Sequence, residues 1–277
     1  MTQLSDLSDY AARLRRIIAH TFDGGANPSA DFSEETFNTL SLELFALQLE
    51  HNEAYRKLGA ASGLASRSVT NWRNIAAVPT AAFKEMDMTS LSEASHTRMF
   101  CSSGTTGQNP SRHFHNEASL ALYEASLLAW FKHHLLAGAS AADGADFLML
   151  TPNGEQAPRS SLVHMFDCVR NAFGSGRSTF CGAVDADGAW QVRIDDAASG
   201  MRMAEHSRRP VVVMGTAFGF VHLFDGLEAR GVRFQLPSGS RVLETGGYKG
   251  RSRTLPKDEL HHLHSIPNIC DLNLNYT

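Results

Sequence analysis

Between Phe100 and His115 the sequence reads FCSSGTTGQNPSRHFH. Four hydroxyl residues, Ser102, Ser103, Thr105 and Thr106, stand around Gly104 and Gly107. In a loop this poor in side chains, backbone N–H groups can crowd around an anion, and hydroxyls add hydrogen bonds to phosphate oxygens. The two glycines permit backbone angles closed to other residues and let the chain approach a ligand closely. No GKS or GKT closes the loop, so it is not a Walker A sequence, and it is not GxGxxG. A flexible Ser/Gly linker has a similar composition. Here, however, the apolar RMF precedes the loop and an apolar helical run follows within a few residues, so both ends are tethered.

Three further stretches carry candidate chemistry. SSLVHM places His164 three residues after Ser161 at the start of an expected helix. It reads equally as a cap segment in which Ser160 or Ser161 closes the helix and His164 is partly buried. Gly215 and Thr216 follow VVVM, where a strand gives way to a helix. Open parallel sheets bind ligands just beyond the carboxyl ends of their strands, although tight glycine packing explains the same residues. ETGGYKG is a second strand-to-glycine turn, with Gly246, Gly247 and Tyr248 after Glu244. Lys249, Arg251 and Arg253 read as a solvated basic face. No metal site is expected. Cys101, Cys168, Cys181 and Cys270 form no CxxC pair and read as reduced, mostly buried thiols, and the HHLH run at 261–264 reads as a surface cluster. A serine hydrolase is disfavoured because FGSGR lacks the GxSxG spacing. DADG at 185–188 reads as a hairpin turn, since no glutamate closes a calcium loop.

The elements that must position these residues alternate. The amino terminus reads as a capped amphipathic helix with Leu14, Ile17, Ile18 and Phe22 at helical spacing. SEET then caps a second helical run carrying Phe37, Leu40, Leu44 and Leu47 on one stripe. NIAAVPTAAFKEM is a connector expected to carry the chain onto the main sheet. Beyond the glycine loop a helix presents Leu120, Tyr123, Leu127, Trp130 and Phe131 on its apolar side and ends near Gly138. ADFLMLTP is a buried strand, SSLVHMFDCVRNAFGSG a helix, and RSTFCGAV and AWQVRI weaker strands about the DADG turn. RRPVVVMGTAFGFVHLF is strand, glycine turn, helix, and SGSRVLETGG is strand and glycine turn. The alternation predicts an α/β fold, a layered and mostly parallel sheet covered by helices, with a helical amino-terminal region. Residues 1–95 are expected to form that region, packed on an α/β core at 96–277.

Composition narrows the function classes. The 277 residues are 43% hydrophobic and 19% charged with a net charge of −4, ordinary for a soluble globular protein. Basic residues are scattered, so no nucleic-acid footprint is visible. No apolar run is long enough to span a bilayer, and no signal core opens the chain, which makes the cytoplasm the expected compartment.

SSGTTG matches the phosphate loop of the adenylate-forming superfamily of acyl-CoA synthetases, peptide-synthetase adenylation domains and luciferases. Within it the chain resembles the LuxE-type acyl-protein synthetases of the bacterial bioluminescence pathway. VPTAAFKEM, FCSSGTTGQNPSRH, SSLVHM and LETGGYKGRSR carry the closer resemblance, in the family's order. The resemblance implies the large domain of an adenylate-forming enzyme that uses ATP and Mg2+. Such an enzyme converts a carboxylic, fatty acid to an acyl-adenylate and passes the acyl group to a protein thiol, with a protein acyl donor or acceptor as partner. An acyl- or aryl-CoA ligase and a non-catalytic nucleotide- or partner-binding remnant are the alternatives. By resemblance the Ser102–Gly107 loop holds phosphates. His164 lies beside the acyl carboxylate and α-phosphate, where a group able to carry a proton or positive charge is needed. Ser161, Gly215 and Thr216 line the substrate, and Gly246, Gly247 and Tyr248 hold the adenine, with an aromatic face for stacking. Where many members carry proline-lysine after the loop, this chain has Gln108-Asn109-Pro110-Ser111-Arg112, and Arg112 either replaces that charge or faces solvent. By the same resemblance the magnesium-binding glutamate, ribose-binding aspartate, mobile carboxy-terminal lid with its lysine, and acceptor cysteine are absent from this chain, which is expected to be a fragment or truncated form of weak or no activity. Tyr276 and Thr277 would open the glutamate's segment, and Cys270 does not match the acceptor.

Overall fold

Ser33, Ser160 and Thr216 each sit one residue ahead of a helix, and each hydroxyl accepts a backbone N–H from that helix's first turn. The computed structural model built on such signals describes residues 6–23, 32–61, 69–102, 109–137 and 144–247. It divides into two compact units, Met1–His134 and Leu135–Thr277. No helix among the described residues is long and apolar enough to cross a membrane.

In the first unit, α1 (Leu7–Asp23) and α2 (Glu34–His51) share a small core. Tyr10, Leu40 and Leu47 are buried there, with Leu7, Leu14, Ile17 and Leu44 packed against them. The Tyr10 hydroxyl donates to the Leu40 carbonyl at 3.1 Å, which keeps its polar end satisfied. Phe37, expected on the apolar stripe, is 40% exposed and meets Trp72 edge-on. The helical run does not continue unbroken past His51. Buried Asn52 ends α2, and its side chain accepts the Tyr55 N–H to start α3 (Glu53–Ala61).

The proline connector leads through α4 (Ala82–Glu85) onto a separate two-stranded antiparallel hairpin, not onto the main sheet. This hairpin, β1 (Arg98–Cys101) and β2 (Arg112–His115), registers Arg98 with His115 and Cys101 with Arg112. On α5 (Glu117–Leu135) Phe131 is buried, as the apolar stripe requires, but Trp130 is 52% exposed and lies on the His134 ring at 3.8 Å.

The second unit is α/β. Its strands are β3 (Asp146–Met149), β4 (Thr179–Phe180), β7 (Val211–Gly215) and β8 (Arg241–Glu244). They form one wholly parallel sheet in the order β4-β3-β7-β8. A small antiparallel hairpin, β5 (Gly182–Val184) and β6 (Trp190–Val192), lies between β4 and β7 in sequence, turned by Asp185 and by Gly188 at φ 75°. The helices are α6 (Ser161–Phe173), α7 (Ile194–Ser207) and α8 (Ala217–Ala229). Right-handed crossovers put α6 on one face and α7 with α8 on the other. Alternation sorts the side chains accordingly. Leu148, Leu150, Val211 and Val213 pack into one core with Met201, Phe220 and Leu223, leaving Phe147, Met149, Val212 and Met214 for the α6 face.

Helix α7 has no counterpart among the elements read from sequence. Its buried face is built from Ala197, Ala198, Met201 and Ala204, which give little apolar signal. The small residues serve close packing: a Cβ on Gly200 would come within 2.4 Å of Leu148.

Candidate functional site

The strand order reverses between β3 and β7. The chain runs from β3 outward to β4, then returns past β3 to β7 and continues outward to β8. Such a switch point leaves a crevice beyond the carboxyl ends of the two central strands. Register fixes what lies there. Met149, Met214 and Leu243 are paired across β3, β7 and β8, so two residues further on Thr151, Thr216 and Thr245 come in step.

These three hydroxyls differ in what they do. Thr216 Oγ1 accepts the Gly219 N–H at 3.2 Å and caps α8. Thr245 Oγ1 donates to the Gly215 carbonyl at 3.3 Å. Thr151 is wholly buried, and its Oγ1 has no hydrogen-bond partner among the described residues. An unpaired buried hydroxyl costs about 1–3 kcal/mol. Glycine at 182 allows the neighbouring backbone to close on Thr151, since a Cβ there would lie 2.1 Å from the Thr151 carbonyl carbon.

Gly246 and Gly247 follow with φ of 73° and 84°, a left-handed turn that other residues enter only with strain. Their carbonyls fold back over the start of α8: Ala217 N–H donates to Gly246 and Phe218 N–H to Gly247, each at 3.3 Å. With Gly219 bonded to the Thr216 hydroxyl and Phe220 to the Thr216 carbonyl, all four leading N–H groups of α8 are occupied. An anion cannot take this helix terminus without displacing the glycine turn. Gly215 packs tightly, because a Cβ would stand 2.9 Å from that of Leu150.

Thus Gly215, Thr216, Gly246 and Gly247 come together at one sheet edge. Ser161 and His164 lie in the same unit, on the first turn of α6. Ser160, not Ser161, supplies the cap, accepting the Val163 N–H at 3.3 Å. His164 is half-buried, and its Nε2 lies 3.5 Å from Cys168 Sγ one turn along. Ser102, in the first unit, closes the base of the hairpin loop. Its N–H donates to the Ser111 carbonyl at 3.0 Å, and its Oγ accepts the Ser111 N–H at 2.9 Å. The loop is therefore tethered at both ends, by a strand pair in place of the expected strand-to-helix passage. Arg112 is held by Asp87 at 2.7 Å. Ser103, Gly104, Thr105, Thr106, Gly107 and Tyr248 lie outside the described residues, as do Lys249, Arg251, Arg253 and Cys270.

Sequence reasoning passed over Thr151 and read Cys168 only as a mostly buried thiol, whereas it is half-buried. Thr151 was legible as the first polar residue after a buried strand, and Cys168 as the residue one helical turn from His164. In the first unit a cleft of about 570 Å³ opens among Glu53, Lys57, Leu58, Met86 and Asp87. None of the sequence-predicted residues lines it. Its charges are already paired, Glu53 with Lys57 at 2.6 Å and Asp87 with Arg112.

The fold defines an α/β protein with a parallel sheet whose strand order reverses between its two central strands. No protein-family model, curated protein or solved structure matches the chain.

Proposed function

We propose that the chain belongs with the adenylate-forming enzymes of acyl-protein synthetase type and activates a carboxylic, fatty acid with ATP and Mg2+. The acid's oxygen attacks the α-phosphorus, pyrophosphate leaves, and the acyl-adenylate then passes its acyl group to a protein thiol. In this reading Ser102, Ser103, Gly104, Thr105, Thr106 and Gly107 bind the β- and γ-phosphates, and His164 orients the acid with Ser161. Gly215 and Thr216 border the acyl group, while Gly246, Gly247 and Tyr248 receive the adenine. Catalysis of this kind rests on positioning and charge neutralisation.

One observation carries the reading: the switch-point edge gathers Gly215, Thr216 and the Gly246–Gly247 turn, and the Thr151 hydroxyl in step with them has no partner among the described residues. The turn offers bare backbone, the kind of surface a flat base can lie on. Because the turn also occupies the N–H groups of α8, phosphate recognition falls to another element, and the hydroxyl-glycine loop has the composition for it.

The test is pyrophosphate–ATP exchange over a panel of carboxylic acids. Acid-dependent exchange is expected, reduced roughly a hundredfold when Thr105→Ala and Thr106→Val are combined. Exchange that is indifferent to that double change would overturn the reading. An acyl-CoA ligase shares every step up to the adenylate, so its mark would be labelled acyl group released as CoA thioester instead of retained on protein.

A further inference from the structure

Two metal-ligating side chains meet on α6 in the second unit. The buried face of this helix is Val163, Phe166 and Val169. At 3.6 residues per turn, Ser161, His164, Cys168 and Asn171 fall together on a different face. Ser161 and Asn171 are exposed there, and His164 and Cys168 are half-buried, so a small ion can reach the pair. His164 Nε2 lies 3.5 Å from Cys168 Sγ. A tetrahedral zinc ion holds a thiolate sulfur at about 2.3 Å and an imidazole nitrogen at about 2.0–2.1 Å, which sets the two ligand atoms about 3.5 Å apart. The spacing of the pair therefore matches the bite of one tetrahedral cation. Ligands four residues apart on one helix face are a recurrent way of building such a bite.

The donor types narrow the ion. Thiolate with imidazole suits Zn2+, whereas Mg2+ and Ca2+ seek oxygen. Cys181 marks the contrast within the unit. It is fully buried, and loss of solvation pushes its thiol up to about 12, with Asp196 adding to the rise and Arg193 opposing it. Such a thiol stays protonated at neutral pH and is no ligand. The expectation of no metal site followed from the missing CxxC pairs, and HMFDC shows its two ligands side by side only when wound into a helix.

We infer that His164 Nε2 and Cys168 Sγ form a binding site for a divalent cation of zinc type, with the remaining tetrahedral positions left to water or another ligand. On binding, the Cys168 thiol gives its proton to solvent and the imidazole ligates in its neutral form. The site requires neither ATP nor a carboxylic acid, so it stands or falls apart from the proposed adenylation.

Two measurements on the whole chain, reduced and freed of metal by a chelator, test this. In the first, Co2+ stands in for zinc and should give near-ultraviolet thiolate-to-cobalt charge-transfer absorption that added Zn2+ abolishes. Cys168→Ser should lose that absorption, and His164→Gln should weaken Co2+ binding at least about tenfold. No such absorption in the unaltered protein, or absorption undiminished in Cys168→Ser, overturns the inference. The second measurement is iodoacetamide alkylation read peptide by peptide, which depends on no variant. Zn2+ should slow alkylation of Cys168 at least about tenfold, because the metal occupies the thiolate that would react. Cys101, also half-buried, should react as before, and Mg2+ at the same concentration should change neither. Cys168 alkylated at an unchanged rate, Cys101 slowed equally, or Mg2+ acting as Zn2+ does would each overturn the site.

Discussion

The two ends of the parallel sheet use polar residues in opposite ways. At the amino edge every hydroxyl joins neighbouring segments. Ser178 Oγ accepts the Phe147 N–H and donates to the Ala145 carbonyl, both at 3.1 Å. Ser240 Oγ accepts the Val211 N–H at 3.1 Å, and Ser175 Oγ donates to Asp146 at 2.5 Å. Asp146 is buried and receives Arg177 Nε at 3.0 Å, with Arg209 at 3.7 Å. At the carboxyl edge the Thr151 hydroxyl has no partner among the described residues, and the backbone turns through two positive-φ glycines. Buried polar groups are normally satisfied. The amino edge is tied together by hydroxyls and an ion-paired aspartate, whereas the carboxyl edge holds a buried hydroxyl with no hydrogen-bond partner among the described residues.

Breaking the closed edge should have the largest effect. Asp146→Ala removes the acceptor shared by Ser175, Arg177 and Arg209, and the expected loss is on the order of 3 kcal/mol, read as a lower urea midpoint. The same carboxylate sets an acid limit. Burial alone raises its pKa, but hydrogen bonds from Arg177 and Ser175 and the charges of Arg177 and Arg209 outweigh burial and hold it below the ordinary Asp value. A carboxyl depressed in the folded state contributes stability above its unfolded pKa of about 3.9 and loses that contribution as pH falls towards the folded value. Unfolding midpoints should therefore drop below about pH 4 in the unaltered protein, and more shallowly in Asp146→Ala.

This asymmetry was only partly visible in the sequence. Continuous apolar runs marked β3 and β7, cap residues marked the starts of α2 and α6, and a glycine turn marked that of α8, because those signals are local. The glycine turn after β8 was equally local. Helix α7 escaped because its buried face is alanine, and the break at Asn52 escaped because a side-chain bond to Tyr55 interrupts a continuous helical pattern. The hairpin at β1 and β2 escaped because its strands are short and β2 alternates histidine with arginine and phenylalanine. Of the site, Gly215, Thr216, Gly246 and Gly247 were legible as strand ends. Their union at one edge depends on strand order, which no single segment encodes. Thr151 acquires meaning only when register sets it beside Thr216.

Thr216 stands between the two regimes, since it lies at the carboxyl edge yet its hydroxyl has a structural task. Thr216→Ala removes the cap on Gly219 and should cost about 1 kcal/mol. Thr216→Ser keeps the oxygen and should recover most of that loss. Equal losses in the two variants, measured by urea unfolding, would assign the effect to the lost methyl group and not to the cap.

Thr151→Val is the smallest change and separates the two ideas most cleanly. Valine keeps the shape and deletes a buried hydroxyl that has no hydrogen-bond partner among the described residues. Stability should therefore rise by about 1 kcal/mol, because an unpaired polar group leaves the interior. Acid-dependent pyrophosphate exchange should fall about tenfold in the same variant, the value of one hydrogen bond made only to ligand. A gain in stability with unchanged exchange would mean that the hydroxyl serves no ligand. A loss of stability would mean that Thr151 is satisfied in solution, and the carboxyl edge would then be as closed as the amino edge.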